Sequence, residues 1–280
     1  MIVKFFGVRG SIPVCNADYQ AFGGNTTCVQ IRLQDTNTIA IFDAGTGIRD
    51  LGKEYLQNDH HQDEIFIAFS HFHWDHIQGF PFFGPAFIKN QKINILAMGE
   101  DRQQKNLKDI FRVQMREVYF PVQLDKMGAN FNFMLLDKDM EIFRGAESGS
   151  KPTIVIANKH NHPGGAFGYR IERESKVFVF CTDIEHGDEI DQNVVRLAEN
   201  ADLLIHEAQY TTEELKNKKG WGHSSYEQAI QVAEMANVKQ LAITHHDPDH
   251  DDDFLSKMEK ECQHRYKDCF LAREQMEIEL

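Results

Sequence analysis

The sequence predicts an α/β protein folded as one domain over residues 1–280. Short apolar runs recur at residues 39–42, 65–69, 154–157, 177–181, 203–205 and 241–244, with the length and composition of buried strands. Two other stretches, residues 102–118 and 224–236, carry apolar side chains at helical spacing. No Pro/Ser-rich linker, long charge block or evident internal repeat divides the chain.

Composition narrows the functional classes. With 30 Lys+Arg against 43 Asp+Glu the formal net charge is −13, which argues against long nucleic acid as a partner, since such binding draws on Lys and Arg. A hydrophobic fraction of 41% excludes a disordered chain. No apolar run approaches the roughly 20 residues that cross a bilayer, so no membrane partner is expected. The opening Met1-Ile2-Val3-Lys4-Phe5-Phe6 is too short and too soon followed by glycine to be a signal peptide. Five cysteines without CxxC spacing suit free thiols in a reducing compartment, hence a cytoplasmic protein.

Taken in order, the elements read as follows. The glycine-rich segments at residues 7–11 and 22–27 are expected to be tight structural turns, although such turns also cradle phosphates. In residues 102–118, Leu107, Ile110, Phe111, Gln114 or Met115, and Val118 share one face. Arg102, Lys105, Lys108, Arg112 and Arg116 share the other, read as a solvated face. A later helix is expected from Ser224, where Ser224 and Glu227 have capping-box spacing, running through Ala229, Ile230, Ala233 and Ala236. His223 directly precedes that N-terminus, a position suited to an anion.

The chemistry concentrates after the run at 65–69, in Ser70-His71-Phe72-His73-Trp74-Asp75-His76. Three imidazoles and a carboxylate in six residues are costly to bury without a cation. In an extended backbone His71 and His73 project to one side, with Asp75 and His76 following as the chain turns. Imidazole and carboxylate donors suit zinc, and also manganese or iron. His162, Asp183 and His245 follow later strands. Together these are seven donors, enough for two divalent ions with Asp183 bridging, a pair that can activate water and clamp the oxyanions of a displacement.

The HxHxDH run at residues 71–76 resembles the hallmark of the metallo-β-lactamase superfamily. The resemblance implies a four-layer α/β/β/α sandwich with a dinuclear site at one edge of two sheets. It implies His71, His73 and His162 on one metal, Asp75, His76 and His245 on the other, and Asp183 shared. It chooses His162 over His160 from the spacing to Gly168-Tyr169, and His245 over His246, which would then orient a ligand or face substrate. Asp43 matches an early aspartate that supports the site. His60, His61, His186, His250 and His264 are expected at the surface, and the acidic run at 247–253 in a solvated loop.

Within that superfamily the chain is similar to the phosphodiesterase branch that includes ribonuclease Z. The similarity rests on Gly168-Tyr169-Arg170-Ile171 after His162, on Leu204-Ile205-His206-Glu207-Ala208, and on Gly222-His223-Ser224-Ser225. It implies a metal-dependent phosphodiesterase in which Asp75 orients the attacking water, His223 protonates the leaving oxygen and Glu207 holds His223. A homodimer is also implied. The sequence lacks an evident Gly/Pro-rich arm for tRNA, and its early loop is not basic. A small phosphodiester, such as a cyclic nucleotide or other cyclic phosphate, is therefore the expected substrate. Rival readings are a ribonuclease Z-like nuclease on RNA or single-stranded DNA, a di-iron oxidoreductase or sulfur-handling hydrolase of the same fold, and a non-catalytic metal-binding accessory protein.

Overall fold

A computed structural model of the chain describes residues 1–33, 38–57, 64–98, 107–136, 140–143 and 153–280. The strands run in chain order as β1 (Ile2–Gly7), β2 (Cys28–Arg32), β3 (Thr38–Phe42), β4 (Glu64–Phe69), β5 (Lys92–Met98) and β6 (Asn130–Leu136). They continue as β7 (Met140–Phe143), β8 (Thr153–His160), β9 (Ala166–Arg173), β10 (Lys176–Cys181), β11 (Leu203–Glu207), β12 (Leu241–Thr244), β13 (Cys269–Leu271) and β14 (Glu277–Glu279). The helices are α1 (Ile48–Gln57), α2 (Trp74–Ile77), α3 (Leu107–Gln114), α4 (Gln192–Ala198), α5 (Thr212–Leu215), α6 (Tyr226–Met235) and α7 (Asp252–Arg265).

The strands pair into two sheets, ordered β14-β1-β2-β3-β4-β5-β6 and β13-β12-β11-β10-β9-β8-β7. In the first, pairing is antiparallel from β14 to β3 and parallel from β3 to β6. In the second it is antiparallel from β7 to β10 and parallel from β10 to β13. The halves thus repeat one topology, a repeat that the sequence does not display because the side chains filling each half differ.

Three apolar cores separate four layers. Ile39, Ile41, Ile65, Ile67, Ile93 and Ile95 face α1 and α3, meeting Ile48, Leu51, Tyr55, Leu107 and Phe111. Val179, Cys181, Leu204, Leu241 and Ile243 face Val194, Leu197, Ile230 and Leu255 of α4, α6 and α7. Between the sheets lie the alternate residues of the same strands, among them Phe42, Ala68, Phe178, Phe180, Ile205 and Ala242. Both faces of each central strand are covered, so the strands read as continuous apolar runs. Each fully buried Ile or Phe contributes about 1.5–3 kcal/mol of burial free energy, so these cores outweigh any surface ion pair. The expected α/β/β/α sandwich is what forms.

Two contacts between the sheets fix the start of the histidine segment. The Tyr169 hydroxyl donates to the Phe69 carbonyl at 2.7 Å, and the Phe167 amide donates to the Ser70 carbonyl at 2.9 Å. Burial and the nearby Asp43 keep the Tyr169 phenol protonated. β9 therefore holds the end of β4 rigidly just before the chain turns.

Several local expectations are corrected. The capping box sits one residue later than predicted. Ser225 accepts from the Gln228 amide, while the Gln228 side chain accepts from the Ser225 amide. Ser224 instead turns inward, donating its hydroxyl to the Ile184 carbonyl at 2.6 Å. Helix α3 ends at Gln114, and Val118 is 79% exposed, because the chain leaves helical geometry after Met115. Arg102 and Lys105 of its predicted basic face, like His60 and His61, lie outside the described residues. Lys108 and Arg112 pair with Asp125 at the surface, Arg112 also with Asp109.

His186 and His250 are buried, not exposed. His186 stacks on His206, while His250 stacks on Phe254 and meets Glu214 at 2.9 Å. His264 is exposed. The acidic run is structural: Asp251 caps α7, and Asp252 accepts from the amides of Ala21 and Phe22.

Helix α7 is tied to the sheet by Glu259, which accepts from the Leu271 amide at 3.0 Å and takes two bonds of 2.7 Å from Arg273. Burial raises the Glu259 carboxyl, but Arg273 and the Leu271 amide outweigh it and hold it below the usual range. A lowered carboxyl stabilises the fold above its unfolded value and loses that contribution as pH falls through its folded one. Glu259→Gln is therefore expected to cost about 1 kcal/mol near neutrality. Urea unfolding should show that difference disappear in acid below the ordinary glutamate range.

Candidate metal centre

Seven predicted donors converge at one edge of the two sheets, on loops that leave strand ends. His71 and His73 follow β4, Asp75 and His76 occupy α2, His162 follows β8, Asp183 follows β10 and His245 follows β12. Strand ends place such groups accurately because the sheet behind them is rigid. Asp43, Asp183 and His245 take left-handed backbone angles, with φ of 59°, 54° and 61°. Few non-glycine residues do so, and here each turn aims a side chain into the cluster or its support.

Asp183 lies between two groups of donors. Its Oδ2 is 3.5 Å from His71 Nε2 and 3.7 Å from His162 Nε2. Its Oδ1 is 3.2 Å from His76 Nε2 and 3.3 Å from His245 Nε2. His73 Nδ1 completes the first group, 3.0 Å from His162 Nε2. Asp75 Oδ2 completes the second, 3.3 Å from His76 Nε2 and 3.2 Å from His245 Nε2. His73 is exposed and the other six are buried.

The donor set fits divalent cations. His71 Nε2 is buried without a hydrogen-bond partner. His245 Nε2 and His76 Nε2 face each other at 3.3 Å. Imidazole nitrogens so confined need a proton or a metal between them. His71, His73, His162 and Asp183 form one set with mutual reach, and Asp75, His76 and His245 another. Burial disfavours charge throughout, yet the imidazoles His76 and His245 drive Asp75 far below its ordinary value, and Asp183 is likewise held well below. Burial and the neighbouring His76 keep His71 neutral, whereas Asp183, Asp75 and Asp43 together outweigh burial at His76 and hold its proton.

A layer of support orients these donors. Asp43 accepts from the Ser70 amide at 2.8 Å and hydroxyl at 2.7 Å, and its Oδ2 lies 2.8 Å from His76 Nδ1. Ser70 Oγ in turn lies 3.1 Å from His71 Nδ1. His162 Nδ1 donates to the Gly222 carbonyl at 2.8 Å, and the Ser11 amide donates to Asp75 Oδ2 at 2.8 Å. Such partners fix ring orientation and raise ligand basicity.

Two glycines permit the close approach of backbone to imidazole. A Cβ on Gly10 would lie 2.3 Å from His245 Nδ1, and one on Gly222, at φ +87°, would lie 2.2 Å from His162 Nδ1. The early glycine-rich turns are thus structural. Buried Arg9 clamps them, donating to the carbonyls of Gly23, Asp247 and His250. Ser11, Gly10 and Gly222 act through backbone or bare space, which residue type alone does not advertise.

His223 and Glu207 also meet beside the donors. His223 stacks on His245 with centroids 5.1 Å apart, and its Nδ1 lies 3.7 Å from Glu207 Oε1. That is an ion-pair separation, longer than a hydrogen bond. Burial pushes the His223 proton off, but Glu207, then Asp183 and Asp75, outweigh it and bring its pKa up to about 9. Glu207 is fully buried and accepts from the amides of Ser224, Gln209 and Ile184, so its position is fixed. His223 also shares mutual reach with Asp183 and His245.

Neither alternative histidine joins the cluster. His160 is buried with Nδ1 toward the Thr182 carbonyl at 3.4 Å. His246 packs against Phe22 and donates to the Ala272 carbonyl at 2.9 Å, so it neither faces substrate nor supports a donor.

The family model described as the β-lactamase superfamily domain matches residues 39–246, most of the chain. The chain belongs to this superfamily. It is 25% identical to ribonuclease BN of Enterobacter sp. (strain 638), over 99% of this chain and 99% of that protein. In structure it is similar to the short form of human tRNase Z, with a TM-score of 0.66 and 19% identity over 100% of this chain and 99% of that one. It is also similar to a diphosphatase of the PhnP family, with a TM-score of 0.67 and 16% identity over 100% of this chain and 97% of that one.

Asp43→Asn keeps the size and tolerates the left-handed backbone, but supports His76 and Ser70 less well. Zinc affinity, measured by chelator competition, is expected to fall about 10- to 100-fold while the far-ultraviolet dichroism stays unchanged.

Proposed function

We propose that this metal-dependent hydrolase of the metallo-β-lactamase superfamily cleaves a small phosphodiester, such as a cyclic nucleotide or other cyclic phosphate. The observation that carries the reading is the His223–Glu207 pair set against the seven converging donors. A thiolate leaving from a thioester needs no proton, whereas a departing alkoxide does, and His223 beside Glu207 is placed to supply it.

In this reading His71, His73 and His162 would hold one ion and Asp75, His76 and His245 the other, with Asp183 within reach of both sets. Zinc is the favoured cation, with manganese or iron as alternatives. When bound, the ions supply Lewis acidity and an activated water. Asp75, held by the Ser11 amide, would orient the attacking water. His223 Nδ1 engages Glu207, leaving Nε2 to hold a phosphate oxygen and pass its proton to the leaving oxygen. Glu207 stabilises the charged ring, in the manner of a triad carboxylate.

A nuclease acting on RNA or single-stranded DNA is the second reading, favoured by the full-length similarity to ribonuclease BN. The net charge of −13 favours the small substrate. Cleavage of a 3′-extended tRNA precursor, assayed beside cyclic nucleotides, separates the two.

Metal-loaded protein is expected to hydrolyse bis(p-nitrophenyl) phosphate. On a 2′,3′-cyclic nucleotide, whose leaving alkoxide needs a proton, His223→Ala should lower kcat by about a hundredfold or more with metal content unchanged. Normal turnover in this variant removes His223 from the chemistry, and loss of a metal ion makes it a ligand instead.

A further inference from the structure

The chain has only two tryptophans, and both are exposed, Trp74 by 68% and Trp221 by 57%. An exposed indole presents a large, rigid face on which a flat ring can stack. Each is bonded directly to the site. Trp74 lies between His73 and Asp75, while Trp221 precedes Gly222, whose carbonyl holds His162, and His223.

The segment carrying Trp221 also carries three lysines. Lys216 pairs with Glu213 and Lys219 with Asp188. Among the described residues no ion pair with a carboxylate is seen for Lys218. Its Nζ lies 4.1 Å from the Trp221 ring centre and 5.8 Å from that of Tyr210. The Tyr210 ring in turn is 5.9 Å from His223. An ammonium without a carboxylate and an exposed indole therefore stand together at one side of the site in an otherwise acidic protein.

Building on the phosphodiesterase reading, we infer that the substrate carries a nucleobase, which stacks on Trp221 beside the scissile phosphate, with Lys218 neutralising a neighbouring phosphate oxygen. Every base has a stacking face, so indole platforms give affinity without reading sequence. A cation against one ring face leaves the other face for the base. Cyclic phosphates without a base lack this contact, so the inference narrows the substrate class to nucleotides.

Because there are no other tryptophans, Trp74→Phe leaves Trp221 as sole indole fluorophore, and Trp221→Phe leaves Trp74. Full-length metal-loaded protein is titrated with thymidine 5′-monophosphate and with ribose 5-phosphate. The inference expects quenching by the nucleotide in Trp74→Phe, where Trp221 is the remaining indole, and none by the sugar phosphate. It also expects Lys218→Gln and Trp221→Ala each to weaken nucleotide binding about fivefold or more. Equal responses to both probes, or none to the nucleotide, overturn it. Hydrolysis of methyl p-nitrophenyl phosphate, which has no base, is measured in parallel. Turnover without nucleotide quenching sinks the recognition inference and leaves the phosphodiesterase reading standing. Quenching without turnover of this ester or of the p-nitrophenyl ester of thymidine 5′-phosphate does the reverse.

Discussion

Asp183 is the constraint on which the rest of the site depends. One carboxylate faces His71 and His162 with one oxygen and His76 and His245 with the other. It is almost fully buried, and a charge taken out of water at that depth is tolerated only with close opposite charge. Imidazolium protons can meet that need, and a pair of divalent cations meets it more completely. Every other donor is positioned around this group.

The sheets are built to serve that demand. Each half repeats three antiparallel and three parallel pairings, and Asp43 and Asp183 leave corresponding strands, β3 and β10. They take different tasks. Asp183 reaches the donors, while Asp43 stays behind His76 and Ser70 and aligns them. The Tyr169 and Phe167 bonds to the end of β4 keep the two halves in register at that edge. Loss of register by even one ångström would separate donors contributed by opposite sheets.

His223 and Glu207 meet beside the same cluster. Glu207 is immobilised by three backbone amides, so its charge is pre-positioned rather than recruited. The exposed rim around them differs in character. Trp74 and Trp221 stand exposed there, with the Lys218 ammonium against the Trp221 ring.

By itself the sequence marked six of the strands, β3, β4, β8, β10, β11 and β12, because their continuous apolar runs leave little choice of conformation. It also picked out His71, His73, Asp75 and His76 as candidate donors, since three imidazoles and a carboxylate within six residues are costly to bury without a cation. Only the tertiary structure decided what depends on direction or on backbone. It turned His246 into the core while His245, one residue earlier, entered the site through a left-handed turn. It buried His186 against His206, and His250 against Phe254 of α7 and Glu214 of α5. It recruited Ser11 through an amide and Gly10 and Gly222 through missing side chains, features that carry no residue-specific signal. Composition records which groups are available, but directional contacts arise only once distant strands are packed edge to edge.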